Sequence, residues 1–181
     1  YSESCAKKMY PGCETISCKT FDECFERSNE DNSIKSLIPE SNKTTGNIGV
    51  EYLIFKYRLN IYAEHFFPIN HNLLGLKDSK IEDIKDVYSH AQALSQSSSF
   101  IRKKKFIENV RADTAGSAKF VSETKDKSKA AIASSLSAEI YGLKILEENI
   151  QDDKDNVTRF LLLGKDIFQP DLSEDNHITS I

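Results

Sequence analysis

Regular alternation of strand and helix signals along the chain predicts an α/β protein with mainly parallel sheets. Three observations carry this. Short apolar runs at residues 130–133 and 157–164 read as buried strands, the second closed by Gly164. Amphipathic stripes between such runs read as helices. Polar residues stand repeatedly near a strand end or a helix start, at Asn42, at Ser89, over 113–115 and at Thr158. Ligand sites of α/β folds lie outside the carboxyl ends of strands, so four such positions far apart in sequence imply one shared cleft.

The 181 residues suit one or two small domains, and 39% hydrophobic content is enough for ordinary globular cores. A net charge of −4 arises from interspersed acidic and basic residues and leaves no nucleic-acid footprint. No run approaches the roughly 18 apolar residues of a membrane helix. The chain opens on Tyr1-Ser2-Glu3-Ser4 rather than on a basic stretch followed by an apolar one. A soluble, cytoplasmic protein without nucleic-acid or membrane partners is expected. Cys5, Cys13, Cys18 and Cys24 include no Cys-x-x-Cys pair of the kind zinc sites use, so no metal is expected. A disulfide would need an oxidising compartment; Cys24, on an apolar helix face, reads more simply as a small buried thiol.

Taken in order, residues 2–10 suit a helix, with Cys5 and Met9 four apart on one face and Pro11-Gly12 as its stop. Residues 14–18 read as a short strand. Thr20-Phe21-Asp22-Glu23 is a capping box, in which the Thr20 hydroxyl accepts from the Glu23 amide while the Glu23 side chain reaches back. Phe21, Cys24 and Phe25 then give a short helix its stripe. Residues 34–38 read as a strand and 39–46 as a polar loop, leading to a helix with Ile48, Tyr52, Phe55 and Leu59 on one face. A helix start beside such a loop can hold an anion. Residues 59–74 read as one or two strands, 78–86 as a charged surface passage, and 87–96 as a strand stopping at a helix start. Arg102-Lys103-Lys104-Lys105 reads as a solvated helix end that complements the dipole. A strand over 106–111 runs to Asp113, an N-cap residue. Then come a polar helix over 119–129, the strand 130–133, and a helix face with Leu136 and Ile140. Past Gly164 the chain turns polar over 169–176.

Arg159 stands at the mouth of the last apolar run. An unpaired guanidinium away from water is costly, which makes it a candidate anion holder. His65 and His71, six apart across Pro68 with no acidic or Cys partner nearby, read as structural. Ser89-His90 is not a hydrolase signature, because no Gly-x-Ser-x-Gly elbow exists and adjacent residues rarely face each other for proton transfer.

Thr158-Arg159-Phe160, with the run over 130–163 that leads to it, resembles the end of the prephenate dehydratase catalytic domain, whose hallmark is Thr-Arg-Phe. Other segments are similar to that family in the same order. Pro39, Asn42 and Gly46 match its Pro-Ile-Glu-Asn-Ser/Thr and following Gly, with Ser41 in place of Glu and Lys43 in place of the hydroxyl residue. The stretch 67–74 matches Leu-Pro-Ile-x-His-x-Leu. Ser89, His90, Gln92 and Gln96 match Ser-His-Pro-Gln and a later Gln, with Ala91 for Pro. Asp113-Thr114-Ala115-Gly116-Ser117-Ala118 matches throughout.

The resemblance implies a two-lobed fold like that of type II periplasmic binding proteins, with an active-site cleft between lobes. One lobe would hold about 1–72 plus 164–181, the other about 73–163. It also implies a hydro-lyase that converts prephenate to phenylpyruvate in phenylalanine biosynthesis, with no cofactor. Thr158 and Arg159 would be catalytic, with Asn42, Ser89, His90, Gln92, Gln96, Asp113, Thr114, Ala115 and Phe160 around the substrate. Arogenate would serve the same machinery, and a non-catalytic small-anion binder on this fold is the rival reading. The family places a first strand ahead of Tyr1 and often a regulatory domain after the catalytic one, so a fragment is expected. The complete protein is expected to be a homo-oligomer.

Overall fold

The structure is a computed structural model and describes residues 1–167. The polar stretch 169–176, and the part of the expected first lobe beyond residue 167, lie outside the described residues. In chain order the elements are α1 (Ser2–Met9), α2 (Phe21–Glu30), β1 (Ser36–Asn42), β2 (Gly46–Asn47), α3 (Glu51–Tyr57), β3 (Asn60–Pro68), β4 (Asn72–Gly75), β5 (Asp86–Ser89), α4 (Ala91–Ser95), α5 (Ser98–Lys104), β6 (Ile107–Val110), α6 (Thr114–Thr124), β7 (Lys129–Ala133), α7 (Ser135–Tyr141), β8 (Lys144–Glu147) and β9 (Val157–Gly164).

The strands make two sheets, one per lobe. The first runs β2-β1-β9-β3 and is antiparallel throughout. The second runs β6-β5-β7-β4-β8, with β5 parallel to β6 and β7, and β4 antiparallel to β7 and β8. The class is α/β as expected, but the sheets are mixed rather than mainly parallel. Parallel neighbours that follow one another in the chain need a crossover connection, usually a helix. β3 reaches β4 through a short link, and no helix separates β8 from β9, so neither connection imposes that direction. β9 lies in the first sheet between β1 and β3, whereas the expected boundary placed 157–163 in the second lobe.

The central strands β4 and β7 of the second sheet are buried on both faces, which explains their continuous apolar runs. Leu73, Val87, Ala130 and Ile132 pack with Leu94 of α4 and Ile101 of α5 on one side. Leu74, Ala131 and Ala133 pack with Ala118 and Val121 of α6 and Ala138 of α7 on the other. In the first sheet, Ile38, Leu161 and Leu163 meet Phe25 of α2 and Leu53 of α3, while Phe160 points the opposite way to Cys5 of α1 and to Ile69. Gly164 ends β9 where a Cβ would fall 2.7 Å from the side chains of Lys35 and Tyr62.

Several local expectations are revised. Residues 14–18 are not a strand. The Thr20 hydroxyl accepts from the Glu23 amide at 3.1 Å, but Glu23 reaches the amide of Lys19, one residue before the cap. The expected loop 39–46 is strand as far as Asn42, with a bulge between Pro39 and Ser41 that accommodates the proline. The next helix begins only at Glu51, so no helix start adjoins Asn42; Leu53 faces the core, whereas Tyr52 and Phe55 are 65% and 81% exposed. β8 was not anticipated, because Lys-Ile-Leu-Glu alternates in neither face nor polarity.

Candidate active site

Asn42 closes β1 and stands in register with Thr158 on β9, so both side chains leave the same face of the first sheet. Asn42 is 4% exposed, and both ends of its amide are engaged. Its Nδ2 donates to Thr158 Oγ1 at 2.8 Å, to Asn156 Oδ1 at 2.8 Å and to the Val157 carbonyl at 3.2 Å. Its Oδ1 accepts from the Thr44 amide at 3.0 Å, from Thr44 Oγ1 at 2.6 Å and from Gln96 Nε2 at 3.2 Å. Two backbone groups settle this orientation. The Val157 carbonyl can only accept and the Thr44 amide can only donate, so the Asn42 NH₂ must face the former and its oxygen the latter. Thr158 Oγ1 is thereby an acceptor towards Asn42, and among the described residues its own hydrogen has no acceptor.

Gln96, at the end of α4, brings the second lobe to this cluster. Its Nε2 donates to Asn42 Oδ1 and Thr44 Oγ1. Its Oε1 accepts from His71 Nε2 at 2.8 Å and Asn156 Nδ2 at 3.2 Å. One turn earlier Gln92 donates to Thr45 Oγ1 at 2.6 Å, a second bridge across the cleft. The Thr44-Thr45 turn therefore supplies hydroxyls at the place where Lys43 replaces the family's hydroxyl residue; Lys43 itself points to Asp155 at 3.5 Å.

The remaining expected site residues divide. Ser89 is fully buried and donates to the Ile132 carbonyl at 2.6 Å, tying β5 to β7. His90 caps α4, its Nδ1 accepting from the Gln92 amide at 3.3 Å. Asp113 caps α6, accepting from the Gly116 amide at 2.6 Å, and leaves the first-turn amides of Thr114 and Ala115 outside the helix ladder. Arg111, 4.1 Å over the Phe120 ring, joins Asp113 and Gly116 around a shallow depression of about 230 Å³. Phe160 is core, edge-to-face with Phe67.

Arg159 is not brought to the cluster. Strand alternation sends it to the opposite face from Thr158. There its Nε donates to Glu64 at 2.7 Å on β3 and its guanidinium meets Glu40 at 3.3 Å on β1. Expected as an anion holder, its guanidinium here links three strands through Glu40 and Glu64.

Sequence reasoning missed Asn156, Thr44, Thr45 and His71. The available signal for Asn156 was period 2, which puts it on the face of Thr158 two residues on. His71, read as structural, is 2% exposed and takes both ring nitrogens into the network, with Nδ1 2.6 Å from the Tyr1 hydroxyl. Burial pushes its pKa below the ordinary histidine value and raises that of the Tyr1 phenol, so both are neutral. The His65 ring, by contrast, meets Tyr10 at 2.6 Å and has no hydrogen bond to the cleft residues among the described residues. Among the described residues no group of three or more His, Cys, Asp or Glu could hold a metal ion, and no helix is long and apolar enough to cross a membrane.

A sequence profile described as prephenate dehydratase matches residues 1–167. A relative named arogenate dehydratase/prephenate dehydratase 1, chloroplastic, from Arabidopsis thaliana is 42% identical over 94% of this chain and 44% of its own length. The chain spans under half the length of the curated relatives it matches. A solved prephenate dehydratase from Arthrobacter aurescens, in complex with L-Phe, superposes with a TM-score of 0.82 at 26% identity, covering 93% of this chain and 58% of that one. GqqA, titled a novel type of quorum quenching acylase, superposes at 0.85 and 30% identity over 93% of this chain and 62% of that one. Profile, relatives and fold agree, and the chain belongs to the prephenate dehydratase family.

Proposed function

We propose that the protein containing this chain is a hydro-lyase that converts prephenate to phenylpyruvate, and that the cluster around Asn42, Thr158 and Gln96 is where hydroxide departs. The observation that carries this is the Thr158 hydroxyl, held as an acceptor by Asn42 with its hydrogen unengaged among the described residues. In the reaction the bond from the ring to its carboxylate breaks and releases CO₂. That electron pair forms a ring double bond as the ring carbon–oxygen bond opposite breaks, and the departing oxygen takes a proton to leave as water. The Thr158 hydroxyl donates a hydrogen bond to that oxygen while negative charge builds on it and keeps its own proton, and the proton that completes the water comes from solvent. A threonine is a weak acid, so its value lies in a fixed direction and a site with little reorganisation left to do. Aromatisation supplies the driving force, and no net oxidation occurs.

Substrate carboxylates would meet the α6 start, where the Thr114 and Ala115 amides stand beside Arg111. We assign Arg159 to holding β1 and β3 against β9. Arogenate is a second reading, favoured by the name of the Arabidopsis relative. Acyl transfer is not favoured, because the Ser89 hydroxyl is sealed against the Ile132 carbonyl. The four cysteines are free, which fits a reducing compartment such as a cytoplasm or the chloroplast interior named for that relative. Exposed Tyr52 and Phe55 on α3 are consistent with a homo-oligomer. Incubation with prephenate and with arogenate, following release of phenylpyruvate and phenylalanine, is the test; no turnover of either would reject the reading.

A further inference from the structure

We propose that His71 is a positioning residue for this reaction: through Gln96 and Asn42 it fixes the direction in which Thr158 offers its hydrogen. The inference rests on the reaction assigned above, but its geometry stands apart from it. The Val157 carbonyl and Thr44 amide fix the Asn42 amide, so Gln96 must present its NH₂ to Asn42 Oδ1. Gln96 Oε1 then faces His71 Nε2 at 2.8 Å, and an oxygen that can only accept requires that nitrogen to carry the proton. A neutral imidazole protonated on Nε2 has a bare Nδ1, which takes the single hydrogen of the Tyr1 hydroxyl at 2.6 Å in preference to the Asn70 carbonyl at 3.1 Å.

The ring is thus the point where α4 of the second lobe is held to the register of the first. Were it unable to donate, the Gln96 amide would lose a reason to keep its oxygen on that side. Turned over, it would set an acceptor against Asn42 Oδ1. Asn42 would then either keep its place against a facing oxygen or turn over, which leaves the Val157 carbonyl and the Thr44 amide unpaired and takes the donor away from Thr158 Oγ1, so that the hydroxyl is free to rotate.

Two amide variants separate positioning from packing. In His71→Gln the side-chain amide reaches about as far as Nε2 and can still donate to Gln96. In His71→Asn it stops near Nδ1 and cannot. With the wild-type protein turning over prephenate, His71→Asn is expected to lower kcat about 10- to 100-fold, in line with the cost of small misplacements. KM should change much less, and His71→Gln should recover most of the loss. Equal turnover in the two variants, or a loss confined to KM, overturns the proposal. If His71→Asn does not fold, nitrogen NMR of the wild-type ring decides without activity: a protonated Nε2 and bare Nδ1 are expected, and the other tautomer overturns it. Absence of turnover in the wild type overturns the assigned reaction, and this role with it, whereas the NMR result speaks to the geometry alone.

Discussion

Replacing Thr158 by Val removes one hydroxyl and keeps the shape and strand preference of the side chain. The structure allows the consequences to be worked out separately for folding and for chemistry. Asn42 Nδ2 has two hydrogens and three acceptors, Thr158 Oγ1, Asn156 Oδ1 and the Val157 carbonyl. Losing the first leaves two acceptors for two hydrogens, so no buried donor is orphaned and stability should fall by about 1 kcal/mol or less. Substrate affinity should follow the same scale, a net hydrogen bond being worth about 0.5–1.5 kcal/mol. Turnover should fall by about 10²- to 10⁴-fold, the usual worth of a positioned proton donor, while Thr158→Ser keeps much more of it. Steady-state kinetics with prephenate, paired with a denaturant titration, measure all three. A loss mainly in KM with kcat intact would mean that Thr158 only holds the ligand and that hydroxide is assisted from elsewhere.

Arg159→Met leaves Glu40 and Glu64 facing one another without their shared cation; the guanidinium is partly exposed, so the cost should be about 1–2 kcal/mol, below that of a fully buried pair. The shift in urea midpoint tests it, and kcat per folded molecule should change only a few-fold; a collapse of kcat at unchanged stability would restore Arg159 to the chemistry. The pH dependence of stability follows from His71, whose folded pKa lies below 6.5 through burial. Between that lowered value and 6.5 the unfolded chain binds more protons, so stability is complete above about pH 6.5 and is lost as pH falls. Melting temperatures from about pH 7.5 down to about pH 5 should therefore decline, and less steeply in His71→Gln, with a residual slope from His65, which burial also lowers. Gln92→Ala removes the bridge to Thr45 and should raise KM about 2- to 10-fold with a smaller effect on kcat; unchanged KM would mean that the bridge does not hold the cleft in the working complex.

Periodicity and caps made most of the fold legible. The buried run at β9, the small-residue strand β7 and the Asp113 cap are local decisions, and each is found where local pattern places it. Strand direction and partners were not legible, because they are set by which edges remain open once the helices are packed. That is why β9 returns to the first sheet and why Arg159 meets two glutamates from strands separated from it by over 90 residues. The inward face of α3 was misread for a similar reason: Tyr52 and Phe55 fit a helical stripe, yet Leu53 faces Phe25 and Leu161. At the site, Asn42, Gln96 and Thr158 could be named from motifs, but the sense of each hydrogen bond depends on two backbone groups that only the folded chain brings together.

That sense has a consequence for what the cleft can tolerate. Among the described residues, the hydrogen bonds of Asn42, Gln96 and Thr158 involve no charged group. A neutral lattice suits a substrate with two carboxylates, since a fixed anion beside Thr158 would oppose the charge gathering on the departing oxygen. Asn42→Asp is the smallest change that inverts it. The new oxygen would face the Val157 carbonyl and Asn156 Oδ1, two acceptors where two donors are needed, and only the Thr158 hydroxyl could turn to satisfy it. The hydrogen meant for the substrate would then be drawn back into the protein. A loss of about 2–3 kcal/mol in stability is expected from the unpaired acceptors, together with a kcat at least as low as that of Thr158→Val. An Asn42→Asp protein with near-normal kcat would show that the direction of the Thr158 hydroxyl does not govern the reaction.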